Sequence, residues 1–146
     1  MSELVNIKFN DSFYDKVDSA NWVNALSDIA KYSGLELEKE LSRAKFKNPT
    51  GNLMRGHQAK HSGLKTEVIN PVEYWPYVNY GTGAHVITPR NKKALYWKGA
   101  KHPVKMVHHP GIKGNHFVSE AVKRFTSSNK LQQITKKALR ERRIKT

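Results

Sequence analysis

Apolar residues recur at steps of three and four from Phe13 through Val17, Ala20, Val23 or Asn24, Leu26, Ile29 and Ala30 to Leu37 and Leu41. Such steps draw one stripe along an amphipathic helix and leave Glu36, Glu38 and Lys39 for solvent. Asn10 or Asp11 offers an N-cap, and Ser12 with Asp15 has the spacing of a capping box. The pattern predicts one long or broken helix over about 12–46, kinked or ended at Gly34 and stopped by Pro49-Thr50-Gly51. Ahead of it, Val5, Ile7 and Phe9 alternate as in a short strand or arm.

The period then changes. Leu64, Thr66 and Val68 alternate with Lys65 and Glu67 after a predicted turn at His61-Ser62-Gly63, which reads as a half-buried strand. The middle of the chain reads as sheet. Tyr74, Trp75, Tyr77 and Tyr80 form an aromatic stretch closed by Gly81-Thr82-Gly83. Val86 and Ile87 predict a strand leading into a basic loop tip at 89–93, with Leu95, Tyr96 and Trp97 returning antiparallel to it. Val104, Met106 and Val107 predict one more strand, and His109-Pro110-Gly111 a turn. Helical spacing resumes at Phe117, Val118, Ala121, Val122 and Phe125, breaks at Ser127-Ser128-Asn129, and returns at Leu131, Ile134 and Ala138 or Leu139. Helix, strands, then helices predict an α+β fold. A single domain is expected over 1–126, with a basic C-terminal helix or tail over 127–146.

Charge sharpens this picture. The 146 residues carry a net charge of +14. Positions 1–41 hold eight acids and four bases, whereas positions 42–146 hold four acids and 22 bases. So uneven a distribution points to one basic face or arm and a polyanionic neighbour. There is no cysteine, which removes disulfides and thiolate chemistry. No apolar run is long enough to cross a bilayer, and MSELVNIKFNDS lacks the form of a signal peptide. The chain is expected to stay in the cytoplasm or in something assembled there, away from the membrane.

Catalytic patterns are weak. Seven histidines are present, yet only His57 and His61 have helical ligand spacing, and they lie beside a glycine in a predicted strand or turn. Glu67, Glu73, Glu120 and Glu141, the acids of the basic part, form no close pair. No nucleophile elbow, phosphate loop or dinucleotide fingerprint occurs. Gly81-Thr82-Gly83 reads as a turn rather than a phosphate cradle. The aromatic stretch, with Tyr96 and Trp97 among Lys92, Lys93, Lys98 and Lys101, has two readings: bases stacked on a single strand, or a subunit interface. The interface reading is favoured, so no enzyme and no cofactor is expected.

Three segments carry a resemblance. Residues 49–55 (PTGNLMR), 74–83 (YWPYVNYGTG) and 109–122 (HPGIKGNHFVSEAV) resemble, in the same order, motifs of the head–tail joining proteins of long-tailed bacteriophages, also called tail-completion or neck proteins. The resemblance spans about 12–126. Asn79 stands where that family usually has Glu, His116 where it has Pro, and Gly56 or His57 where it has Ser. The resemblance implies a long helix packed on an antiparallel sheet, a protruding loop and a C-terminal helix. It implies a structural virion protein forming a ring of self-copies, commonly six. The ring would sit at the head–tail junction between the connector or head-closure protein and the tail tube or tail terminator, with double-stranded DNA passing through. On that reading Tyr77, Tyr80, Gly81, Thr82, Gly83, Trp97, Pro110 and Gly111 are interface or turn positions, and Arg90, Lys92, Lys93, Lys98 and Lys101 face the DNA channel or a partner. A sequence-nonspecific nucleic-acid-binding protein or nuclease, and a tail-terminator ring of the adjacent layer, remain as alternatives.

Overall fold

The computed structural model describes residues 2–8, 20–46 and 51–144. They form two compact units. The first takes the chain up to Trp75 and resumes at His116; the second is Pro76–Asn115. The expected capping box, the first apolar steps at Phe13 and Val17, and Pro49-Thr50 lie outside the described residues.

The first unit is α+β. Strands β1 (Ser2–Lys8), β2 (Gln58–Ser62) and β3 (Lys65–Asn70) make an antiparallel sheet in the order β1-β3-β2. β1 carries a bulge between Glu3 and Val5, and β2 turns into β3 through Gly63-Leu64. The turn therefore falls one residue later than the His61-Ser62-Gly63 pattern predicts. Thr66, Val68 and Asn70 share one face of β3 and are all buried.

Helix α1 (Ala20–Ser42) lies against β2 and β3 and buries the predicted stripe at Leu26, Ile29, Ala30, Leu37 and Leu41. It runs straight on past Gly34, which neither ends the helix nor needs its backbone freedom. The hydrogen side chain is a packing requirement: a β-carbon there would collide with the Thr66 methyl. On β2, the outward amide of Ala59 donates to the Glu38 carboxylate at 2.8 Å.

A four-residue helix, α2 (Asn52–Arg55), follows where no helix was expected; it buries Leu53. At the C-terminal end, α4 (Phe117–Ser127) and α5 (Lys130–Glu141) break at Ser128, whose extended backbone ends α4. α4 buries Phe117, Ala121 and Phe125, and the Phe117 ring meets Phe46 edge-on at 5.4 Å. α5 packs on α1 through Ala138 and Ile134 against Leu26 and Ile29. It thus belongs with α1 instead of standing apart as a tail.

The second unit is built from short pieces. α3 (Trp75–Tyr80) enters it, so the aromatic stretch is a helix where sheet was expected; Pro76 suits a first helical turn. β4 (Gly81–Thr82) pairs with β7 (Ile112–Lys113), and β5 (His85–Ile87) pairs with β6 (Val107–His109). The expected return of Leu95–Trp97 against β5 does not occur: Val107–His109 takes that place, and Leu95 instead bridges Val104.

Candidate functional site

Ion pairs on α1 decide which bases are available to a partner. Glu40 is buried on α1 at 6% exposure, and three cations surround it: Arg43 at 2.6 Å, Lys130 at 2.9 Å and Arg124 at 3.1 Å. The Arg124 guanidinium also donates to the Glu40 carbonyl at 3.0 Å. The Lys130 ammonium, with Arg124 behind it, holds the Glu40 carboxyl below its ordinary value against the opposing effect of burial. Lys39, then Lys130, does the same for Glu36, and the two carboxylates together raise Lys130. Further along, Arg142 grips Asp28 through two nitrogens, at 2.8 and 3.0 Å. Three bases of the C-terminal helices, Arg124, Lys130 and Arg142, are therefore balanced by acids of α1.

The second unit has no such balance. Residues 76–115 contain seven Lys or Arg and no Asp or Glu. All seven, Arg90, Lys92, Lys93, Lys98, Lys101, Lys105 and Lys113, are exposed. Apolar groups are exposed there too. Of the thirteen large apolar side chains that stay exposed among the described residues, eight fall in this stretch of forty. Tyr77, Tyr80 and Trp97 are 58%, 67% and 51% exposed. None of the buried apolar side chains of the described residues belongs to this unit, in which Asn79 alone is buried. Two short ribbons without a dry core are marginal structures that gain by binding.

The residues singled out from sequence take distinct places. Gly81 has φ +83° and Gly111 φ +88°, and a β-carbon at either would strike the opposite strand's backbone, so both turn positions demand glycine. Thr82 accepts the Ile112 amide at 3.1 Å, which ties β4 to β7 a second way. Gly83 has open space around it, and Pro110 lies exposed in the turn before Gly111. Arg90, Lys92 and Lys93 lie in the loop after β5, and Lys98 and Lys101 between Leu95 and Val104. An apolar cleft of about 450 Å³, lined by Ile87, Leu95, Tyr96, Trp97, Val107 and His109, opens among them. Sequence reasoning found Tyr96, Trp97 and the lysines but not the cleft. The acid-free window was readable in the sequence; its importance emerges with the borders of the unit.

Two histidine clusters have the residue types of a reactive site. Ser27 Oγ donates to the Gly63 carbonyl at 2.7 Å and lies 3.1 Å from His61 Nε2, while His61 Nδ1 lies 2.9 Å from Thr66 Oγ1. With its proton on Gly63, the serine receives from His61, which in turn accepts from Thr66. These bonds fasten the hairpin to α1, and both ring nitrogens face hydroxyls rather than a carboxylate. His57 is buried against Phe117, accepts from Asn70 Nδ2 at 3.1 Å, and burial pushes its imidazole down to about 4. Asn70 also donates to the Leu53 carbonyl and accepts the Val72 amide, so it ties α2 to the end of β3. Among the described residues no group of three His, Asp or Glu side chains could hold a metal ion. Comparison with family models, curated protein sequences and solved structures returned no match for this chain.

Proposed function

We propose that this chain is a structural assembly protein of a phage neck, whose copies form a ring at the head–tail junction and bind neighbouring proteins through residues 76–115. The observation that supports it most is the make-up of that unit: seven Lys and Arg with no Asp or Glu, rich in exposed aromatics, and without a core of its own. Such a surface reaches its lowest free energy when a partner covers it. The three motifs that resemble head–tail joining proteins supply the setting, and two of them overlap this unit. Tyr77, Tyr80 and Trp97 are the contact residues, and Gly81 and Gly111 permit the close β4–β7 ribbon that follows α3. The ring of six, the DNA passage and the choice between joining layer and terminator layer come from the resemblance alone.

Gold labelling of a C-terminal tag on phage particles tests the reading. Label at the head–tail junction is the expected result; particles without label overturn it. A second reading, sequence-nonspecific nucleic-acid binding, draws on the seven exposed bases of this unit and on its exposed Tyr96 and Trp97. It requires affinity for DNA that falls steeply with salt, and absence of binding at ~0.1 M salt removes it.

A further inference from the structure

We infer that the cleft between Ile87, Leu95, Trp97 and Val107 is a docking site for an acidic segment of a different protein, anchored by one apolar side chain. The inference rests on the assembly reading in one respect only, that the partner is a protein; it needs no phage setting.

Charge argues the acidic frame. Lys92 and Lys93 precede Leu95, Lys98 and Lys101 follow Trp97, and Lys105 lies before Val107, so each stands within a few positions of a lining residue. All five are exposed, and the unit offers no carboxylate to neutralise them. An approaching acidic chain would be attracted to this stretch and an approaching basic one repelled.

The floor argues the apolar anchor. Ile87 faces Val107 across the β5–β6 ladder, and Leu95 closes the side through its bridge to Val104. Ile87, Leu95 and Val107 release water to an apolar side chain, and of the lining only Tyr96, Trp97 and His109 carry polar atoms, so most of the cleft offers no partner to the polar edge of a nucleobase. Trp97 at the rim is the residue type on which binding energy concentrates. An acidic protein segment therefore fits better than a single-stranded nucleic acid.

The chain's own acids argue for a different protein. Of the eight acids whose side chains are described, six are engaged within the chain: Asp28, Glu36, Glu38, Glu40, Glu67 and Glu141. A second copy thus has little free negative charge in its described part to offer this cleft.

The test is a peptide array probed with the full chain. Every peptide has a frame of Asp and Glu, of Ser and Gly, or of Lys and Arg, around a randomised central triplet. Selection of acid-framed peptides with Phe, Leu, Ile or Trp at the centre is expected. The best peptide, fluorescein-labelled, should then bind saturably, and Trp97→Ala should weaken it at least ~10-fold. Lys98→Glu with Lys101→Glu, on exposed positions, should weaken it similarly without touching the cleft floor. No frame preference, or equal binding with polar centres, overturns the inference. Tighter binding of oligothymidylate that is lost in Trp97→Ala overturns it in favour of nucleic acid. Self-association abolished by Trp97→Ala overturns it in favour of a second copy. Unlabelled phage particles would sink the neck assignment while leaving this result standing.

Discussion

Gly34 of α1 and Thr66 of β3 share one volume: the threonine methyl occupies the room that any side chain at position 34 would need. The two residues set how closely the helix approaches the sheet. Gly34→Ala gains helix propensity of up to ~1 kcal/mol but overpacks the contact, at a cost of about 1–3 kcal/mol. A net loss of stability is expected on urea unfolding. Thr66→Ser removes the methyl and keeps the hydroxyl that meets His61. The double variant should recover most of the loss, and additive effects of the two changes would contradict the contact.

Glu40→Gln tests the cation cluster on α1. The amide keeps the shape and removes the charge that Arg43, Arg124 and Lys130 share. All three cations remain partly exposed, so the expected loss is about 1–3 kcal/mol, short of a fully buried pair. The midpoint of thermal unfolding should fall and respond less to salt. An unchanged midpoint would show that the pairs add nothing.

Acid should weaken the first unit in two stages. His57 binds its proton at about 4 when folded and near 6.5 when unfolded. Unfolding therefore takes up a proton between those values. The contribution of neutral His57 is full above pH 6.5 and is lost as pH falls towards 4, amounting to about 3 kcal/mol at most. Glu36 and Glu40 are depressed below 4.5, so their contribution is present above that value and disappears at still lower pH. Urea midpoints measured from pH 7 to pH 3 should show both slopes, and His57→Leu should flatten the upper one alone.

Gly81→Val should open the second unit without unfolding the first. The valine would have to adopt φ +83° and displace the backbone at Ile112. The β4–β7 pairing should be lost, and trypsin should cut faster at Arg90, Lys92 and Lys93. The thermal transition of the α1–α5 core should stay within a few degrees of the parent chain. Equal cleavage rates in the two proteins would show that the ribbon tolerates the substitution.

Sequence reading succeeded where order is local. The stripe on α1, the alternation of β3 and the break at Ser128 all follow from neighbours a few positions apart. It failed at residues 75–80, because their aromatics favour strands while Pro76 and the surrounding fold favour a helical turn. The pairing of β5 depended on a choice between two nearby apolar runs, which periodicity does not make. Most of all, nothing local shows where the basic C-terminal helix or tail expected over 127–146 would pack. Lys130 meets Glu40 across 90 positions of chain, and Arg142 meets Asp28 across 114. Separations of that size leave no trace in local pattern, so which bases the chain itself balances was not readable. The candidate surface was legible as residue types but not as a cleft.

The bond from Ala59 to Glu38 has a bearing on what this chain can join. β2 forms a border of its sheet, and borders recruit foreign strands through vacant amides and carbonyls. At Ala59 that vacancy is filled by a carboxylate from the chain's own helix. Strand addition at this border would have to break a charge-assisted bond before forming a neutral one. Runaway stacking of copies through this border is thereby disfavoured at Ala59.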